Sequence, residues 1–217
     1  MAAPVAAKLL ATGATRRRFL QLAGVAGFGA FGIAIFGGAG IAALGATLEG
    51  EGELTGPEVG PPSDDDGPLG ANGWAWPSHM RGVSQGFHDG FSIDLVSETG
   101  GALYSPYDGV VMTAGGDGGG VPGVCMVNPS WWRGENSTVI IEHRFEGMTM
   151  YSSHNHVEAG SPAALGIIPG AVVRAGQTVA RSGMSGCTSA PHTHFTLSST
   201  ARNFYPDINP YPFIGNP

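Results

Sequence analysis

Two histidines stand one residue apart near the end of the chain, in the stretch Pro191-His192-Thr193-His194-Phe195. The apolar and β-branched residues around them predict a strand, and alternation along a strand directs His192 and His194 to the same face. Imidazole is the commonest protein ligand for zinc and also transfers protons near neutral pH, so the pair indicates half of a metal or proton-transfer site. Taken alone, the pair is a weak signal, because two surface histidines on an edge strand give the same pattern more often.

The rest of the chain predicts an all-β domain to position such a site. Glycine (37 residues) and proline (16) are abundant and only 12% of residues are charged, which favours a turn-rich β protein. Short apolar or alternating runs, separated by turn residues, lie at 91–96, 102–104, 109–114, 138–143, 148–151, 171–174, 178–181 and 194–197. They predict a mostly antiparallel sheet or sandwich over residues 74–217.

The first 48 residues predict an export segment. Arg16, Arg17 and Arg18 precede residues 19–48, which carry no charge and include eight glycines. This pattern resembles the twin-arginine export signal. The uncharged run also exceeds the roughly 20 residues that a membrane helix needs, so it predicts an apolar helix that is either cleaved after export or kept as a membrane anchor. Basic residues before it leave the body of the protein outside, in the periplasm, cell wall or medium.

Residues 49–73 predict a disordered linker between this segment and the domain. They contain seven acids, no base and repeated Gly and Pro, with too little apolar surface to offset the entropy of ordering. The linker would give the domain reach away from the membrane.

Charge and lysine content exclude several function classes. From residue 49 onward the chain has six arginines against 17 acids, a net charge of −11, which provides no basic surface for nucleic acid. Lys8 is the only lysine. The body therefore lacks the lysine that a phosphate loop, a Schiff-base enzyme or a biotinyl or lipoyl carrier needs.

Cys125 and Cys187 are the only cysteines. In an exported protein they predict one disulfide, and closing a loop of this length stabilises a fold by ~4 kcal/mol in the chain-entropy model. The alternative is a pair of buried thiols.

Several motifs, in order along the chain, resemble the lysostaphin-like zinc metallopeptidases. The first is Gly86-Phe87-His88-Asp89-Gly90-Phe91-Ser92-Ile93-Asp94, followed at the family's spacing by Gly100, Tyr104 and Gly109. The strand Ile141-Glu142-His143, the paired glycine turns at Gly170 and Gly176, and Pro191-His192-Thr193-His194-Phe195 complete the series. The resemblance covers about residues 74–200.

This resemblance implies a zinc site. Its ligands would be His88, Asp94 and His194, with water in the fourth position. The family commonly places its first His four residues before the Asp, whereas His88 lies six before Asp94, which implies a two-residue insertion. His192 would orient or deprotonate the water.

The family also uses a His from a Tyr-x-His strand for proton transfer. The corresponding segment of this chain is Tyr151-Ser152-Ser153-His154-Asn155-His156. A bulge after Tyr151 would assign that role to His154, and His156 is the alternate.

The function implied is an exported, monomeric zinc endopeptidase that hydrolyses peptide cross-links of cell-wall peptidoglycan by metal-activated water. Two alternatives stay open. One is a catalytically silent relative that binds cell wall or activates another hydrolase. The other is a cysteine peptidase using Cys187 with His192.

Overall fold

One antiparallel sheet carries most of the domain. The structure is a computed structural model that describes residues 54–201 and 205–217. Its strands are β1 (Val83–His88), β2 (Ser92–Leu95), β3 (Ala102–Tyr104), β4 (Gly109–Gly116), β5 (Ser137–Phe145), β6 (Met148–His154), β7 (Val172–Val173), β8 (Thr178–Arg181) and β9 (Thr193–Ser198). Seven of them form a sheet in the order β1-β2-β9-β6-β5-β4-β7, and β3 pairs with β8. All these pairs are antiparallel, which confirms the predicted fold class.

Helices are few and short in the described residues. They are α1 (Gly123–Val127), a 3₁₀ turn (Pro129–Trp131), α2 (Ser161–Ala164) and α3 (Tyr211–Ile214). Within residues 54–201 and 205–217, no helix combines the length and apolarity needed to cross a bilayer. The predicted export segment, residues 1–48, lies outside the described residues.

The neighbouring strands β2 and β9 have one face in the core. Ile93 and Leu95 of β2 and Phe195 and Leu197 of β9 are fully buried and pack in a cluster with Trp74. Because side chains alternate along a strand, the residues between them face the other side of the sheet. The core thereby determines which face of these strands is available for a site.

A second cluster joins the large sheet to the β3–β8 pair. Val139 and Ile141 of β5 pack with Leu103 of β3 and with Val179 and Ala180 of β8, and all five are buried. The small pair covers this half of the large sheet, so the core-facing side chains of β5 and β6 are removed from solvent.

Residues 54–73 lie against the domain, which corrects the predicted disordered linker. The Val172 N–H of β7 donates to Pro57 O at 2.9 Å, and the Asp65 carboxylate pairs with the Arg181 guanidinium. Composition suggested disorder because this segment has little apolar surface. The structure instead uses its carbonyl and carboxylate oxygens as hydrogen-bond acceptors for a strand edge and an arginine.

Cys125 of α1 and Cys187 form a disulfide, which confirms the predicted pairing. Their Cα atoms lie 5.9 Å apart across a sequence separation of 62 residues. A sulfur held in a disulfide is not a nucleophilic thiolate, so the cysteine-peptidase alternative is excluded.

Removing the disulfide is expected to lower the free energy of unfolding by about 4 kcal/mol, because the unfolded chain regains the freedom of a long loop. Urea unfolding of the double variant Cys125→Ser/Cys187→Ser at pH 7 measures the effect. Reduced wild-type protein is the control and should unfold at the same urea concentration as the variant. Equal stability of the oxidised wild type and the variant would contradict the prediction.

Candidate metal centre

Asp94 and His194 form a cross-strand pair on the face of the sheet that points away from the core. Asp94 of β2 lies directly opposite His194 of β9 in the antiparallel register. Directly opposed residues on neighbouring strands share a face, so the pairing brings the two side chains together. Asp94 Oδ1 lies 3.1 Å from His194 Nδ1.

His88 reaches the same face through a tight turn. It ends β1 and lies directly opposite Ser92, two residues before Asp94 on β2. The turn contains Asp89 and Gly90, both with positive φ (46° and 91°). A Cβ on Gly90 would lie 2.6 Å from the Pro206 carbonyl oxygen, so only glycine fits there.

This hairpin geometry explains the six-residue spacing between His88 and Asp94. Ser92 and Asp94 share a face because they are two residues apart on β2, and His88 shares the face of its partner Ser92. The two extra residues in the sequence are absorbed by the turn and by the irregular register of β1. The expected convergence of His88 with Asp94 and His194 is therefore found.

Three donor atoms meet at distances that suit a tetrahedral ion. His88 Nε2 lies 3.1 Å from His194 Nδ1 and 3.4 Å from Asp94 Oδ1. The distance between His194 Nδ1 and Asp94 Oδ1 is 3.1 Å. Zinc–nitrogen and zinc–oxygen bonds of about 2.0–2.2 Å place neighbouring tetrahedral ligands roughly 3.3–3.5 Å apart. Among the described residues, these three side chains are the group of His, Cys, Asp and Glu that could hold a metal ion.

The remaining ring nitrogen of His88 is also arranged as in a metal ligand. Its Nδ1 donates to the Gly86 carbonyl oxygen at 2.8 Å. A carbonyl can only accept, so the hydrogen is on Nδ1 and the lone pair of neutral His88 is on Nε2, the atom that faces Asp94. The donor set, the separations and this tautomer all fit zinc.

Asp94 is held in its charged form. Burial alone would raise the pKa of the Asp94 carboxyl, but the hydrogen bond with His194 and the charges of His192, His194 and His88 outweigh it, so the pKa lies below its ordinary value. The carboxylate is therefore ionised at neutral pH, as metal binding requires.

His192 lies beside the three donors, as its spacing predicts. Its Nε2 is 3.6 Å from Asp94 Oδ2, and its Nδ1 donates to the Ala190 carbonyl oxygen at 2.9 Å. In the neutral form, His192 therefore presents the Nε2 lone pair to the site.

His154 does not face this site, which corrects the predicted assignment. Strand β6 pairs with β9 without a bulge, and His154 lies directly opposite the core residue Phe195. It shares the core face and is fully buried, with Nε2 donating to the Tyr104 carbonyl oxygen at 3.0 Å. The bulge expected after Tyr151 is absent, so strand alternation turns His154 inward.

The alternate, His156, lies at the site. It follows the end of β6 with a positive φ of 61°, and its ring centroid is 4.8 Å from that of His192 and 6.3 Å from that of His194. Its Nδ1 donates to the Ser185 carbonyl oxygen at 2.7 Å. Burial lowers the pKa of His156 to about 4, although the hydrogen bond to Ser185 partly opposes this, so the ring is neutral with its lone pair on Nε2.

Two polar residues that the sequence analysis does not single out contact His156. They are Ser185, through its carbonyl oxygen, and Asn136, whose Oδ1 accepts the His156 N–H at 3.0 Å. They are 49 positions apart in irregular segments, and neither belongs to a motif. Only the folded chain brings them to one imidazole.

The buried His154 predicts an acid-sensitive domain. Burial lowers the pKa of His154 to about 4, from 6.5 in the unfolded chain. Between these pH values the unfolded chain binds more protons, so the free energy of unfolding is fully retained above pH 6.5 and decreases as the pH falls through the window. We expect His154 to account for about 2 kcal/mol of the loss between pH 7 and pH 5.

Urea unfolding of metal-free wild type and His154→Gln at the two pH values measures this contribution. The glutamine Nε2 can still donate to the Tyr104 carbonyl but does not titrate in this range. His143, whose pKa burial also lowers to about 4, remains in both proteins and supplies a shared background. An equal loss of the free energy of unfolding in the two proteins would mean that His154 does not contribute to the acid sensitivity.

Comparison with known proteins identifies a family for this chain. The sequence profile of peptidase family M23 matches residues 86–206, a span that contains every residue of the site. Comparison with curated proteins gives no significant match.

Solved structures with detectable similarity include three peptidases. A zinc-containing peptidase from Vibrio cholerae is 19% identical, with 58% of this chain and 36% of that one covered and a TM-score of 0.42. A Pseudomonas aeruginosa protein described as a peptidase M23 is 21% identical, with 73% of this chain and 54% of that one covered and a TM-score of 0.46. The catalytic domain of lysostaphin from Staphylococcus simulans is 20% identical, with coverages of 65% and 90% and a TM-score of 0.42.

The chain spans about a third to a half of the first two of these proteins. The family profile alone covers more than half of this chain. On that match, the chain belongs to peptidase family M23.

Proposed function

We propose that this protein is an exported zinc endopeptidase that hydrolyses peptide cross-links of cell-wall peptidoglycan. The observation that carries the proposal is the convergence of His88 Nε2, Asp94 Oδ1 and His194 Nδ1 within 3.1–3.4 Å of one another. Two imidazoles and one carboxylate hold zinc while leaving a coordination position open, as catalytic sites do and closed structural sites do not.

When bound there, zinc polarises the scissile carbonyl and lowers the pKa of water toward 7. The protein's own part is proton transfer by His192 and His156. In each ring, Nδ1–H donates a hydrogen bond to a backbone carbonyl oxygen. The Nε2 lone pair of each neutral ring is therefore free to accept a proton. Either imidazole can take the proton of the attacking water and, once protonated, donate it to the leaving amine.

The substrate and the location are supported by less direct arguments. Family membership and the resemblance to lysostaphin-like enzymes favour the peptides of peptidoglycan. The predicted twin-arginine signal favours a compartment in which cell wall is accessible, and the disulfide fits an oxidising one. An acidic body without lysine gives no surface for nucleic acid.

Incubation of the purified protein with peptidoglycan tests the proposal. We expect new amino termini to be released, the release to stop on treatment with a chelator, and zinc to restore it. His192→Ala should bind zinc but release little. Cleavage that survives both the chelator and the substitution would refute the mechanism.

The silent-relative alternative makes a different prediction for the same experiment. It expects sedimentation of the protein with peptidoglycan without any release of amino termini, and zinc well below one equivalent in the freshly purified protein. One equivalent of zinc together with cleavage excludes it.

A further inference from the structure

A loop, and not a strand, holds the proton-transfer side of the site. The three donors for zinc lie within or at the end of paired strands. By contrast, the Nδ1 atoms of His156 and His192 donate to Ser185 O and Ala190 O, which belong to the segment between β8 and β9. The direction of both imidazoles therefore depends on how this segment, residues 182–192, is fixed.

Ser185 is fixed by its own side chain. Its Oγ accepts the Ser137 N–H at 2.9 Å and donates to the Val157 carbonyl oxygen at 2.7 Å. Ser137 begins β5, and Val157 directly follows His156. The Ser185 hydroxyl therefore connects the loop to the start of β5 and to the segment that carries His156. These bonds place the Ser185 carbonyl where it accepts the His156 Nδ1 hydrogen.

Asn136 holds the backbone of His156. Its Oδ1 accepts the His156 N–H at 3.0 Å, while its Nδ2 donates to Asp117 Oδ2 at 2.8 Å and to Asn155 Oδ1 at 3.1 Å. His156 adopts φ of 61°, a left-handed conformation that non-glycine residues seldom adopt, so it needs such support.

Asn136 ends the segment between β4 and β5, residues 117–136, which is also attached to the loop. The Arg133 N–H donates to Gly186 O at 2.8 Å, and the Thr188 N–H donates to Trp131 O at 3.0 Å. The disulfide to Cys187 adds a covalent link between the same two segments. The segment 117–136 therefore fixes the position of the loop against the end of β6.

We propose that Ser185 and Asn136 are positioning residues for His156. Asn136 fixes the backbone of His156, and Ser185 fixes the hydrogen on Nδ1, so that the Nε2 lone pair is presented to the metal site. The proposal rests on the proposed function, because it assigns how one base of that reaction is oriented. Neither residue is hydrogen-bonded to a zinc-donor side chain, and Asn136 reaches the His194 backbone only through Asn155, so zinc stoichiometry is expected to be retained.

Kinetics of Ser185→Ala and Ser185→Thr on peptidoglycan fragments test the role of Ser185. Alanine removes the Oγ bonds and threonine keeps them. We expect kcat to fall about 10–100-fold in the alanine variant with KM and zinc stoichiometry unchanged, and threonine to restore most of it. Asn136→Ala, which removes the acceptor of the His156 N–H, should lower kcat in the same way.

A double variant separates positioning from general destabilisation. In a His156→Gln background the imidazole is already gone, so adding Ser185→Ala should lower kcat no further. An equal further loss in that background, or an unchanged kcat in Ser185→Ala alone, would overturn the proposal.

A second measurement applies even if the wild type does not cleave peptidoglycan, a result that would count against the proposed function and not against positioning. Nitrogen-15 NMR of the imidazoles, with His156→Gln used for assignment, reports which ring nitrogen carries the hydrogen. We expect the Nδ1–H form of His156 in the wild type and a mixture of tautomers in Ser185→Ala. The same single tautomer in both proteins would refute the role of Ser185.

Discussion

His88→Ala is expected to lose most of its bound zinc and at least about 10³-fold in peptidoglycan-cleaving activity, because Lewis-acid catalysis supplies several kcal/mol of transition-state stabilisation. His88 supplies one of three converging donor atoms, and two donors alone do not hold a catalytic ion firmly. Metal analysis of the purified protein and the initial rate of amino-terminus release measure the two effects together.

His79→Ala is the matched control for this experiment. The His79 ring pairs with the exposed carboxylate of Glu98 and is not one of the three converging donors, so its truncation should leave zinc content and rate at the wild-type values. One full equivalent of zinc in His88→Ala would mean that the six-residue spacing does not deliver a ligand. Asp94 and His194 would then need a different third donor.

His156→Gln is expected to retain zinc and to lose about 10²–10⁴-fold in kcat, the usual contribution of a general acid or base. Glutamine keeps an Nε2 amide of similar reach but cannot accept the proton. The ring it replaces is neutral at pH 7, because burial lowers its pKa to about 4, so a proton acceptor and not a charge is removed. Steady-state kinetics with metal analysis of each preparation provide the measurement.

His154→Gln is the comparison that decides between the two candidate histidines. It lies two residues away and donates to Tyr104 O within the core, so its kcat should stay near the wild-type value at pH 7. The opposite pattern, with His154→Gln inactive although folded and zinc-loaded and His156→Gln active, would restore the assignment based on the Tyr-x-His motif.

The metal side of the candidate site was accessible to prediction because Asp94 and His194 lie on paired strands. The two-residue period of an extended chain also places His192, one residue before β9, on the face of His194, which requires no tertiary information. Asp94 faces the same way because β2 pairs directly with β9. For His88, the sequence predicted the residue but not the turn, with its positive φ at Asp89 and Gly90, that makes a six-residue spacing work.

The proposed proton-transfer side could not be predicted in the same way, because His156 lies in irregular chain after the end of β6. Motif spacing favoured His154 through a bulge, and the unbroken pairing of β6 with β9 turned that residue into the core. The residue at the site, His156, faces it through a left-handed backbone that Asn136 supports from a distant segment. Such a conformation has no periodic signal in the sequence.

The sequence by itself predicted the all-β class, the pairing of the two cysteines and, through the resemblance to lysostaphin-like enzymes, a candidate site of His88, Asp94, His192 and His194. These predictions follow from residue type, the alternation of strands and the order of motifs along the chain, which can be recognised without tertiary structure. Tertiary structure alone decided that His156, and not His154, lies at the candidate site, that residues 54–73 lie against the domain, and that Ser185 and Asn136 are hydrogen-bonded to His156. The reason is that hydrogen bonds between irregular segments depend on where distant backbone groups come to lie, which composition and spacing do not encode.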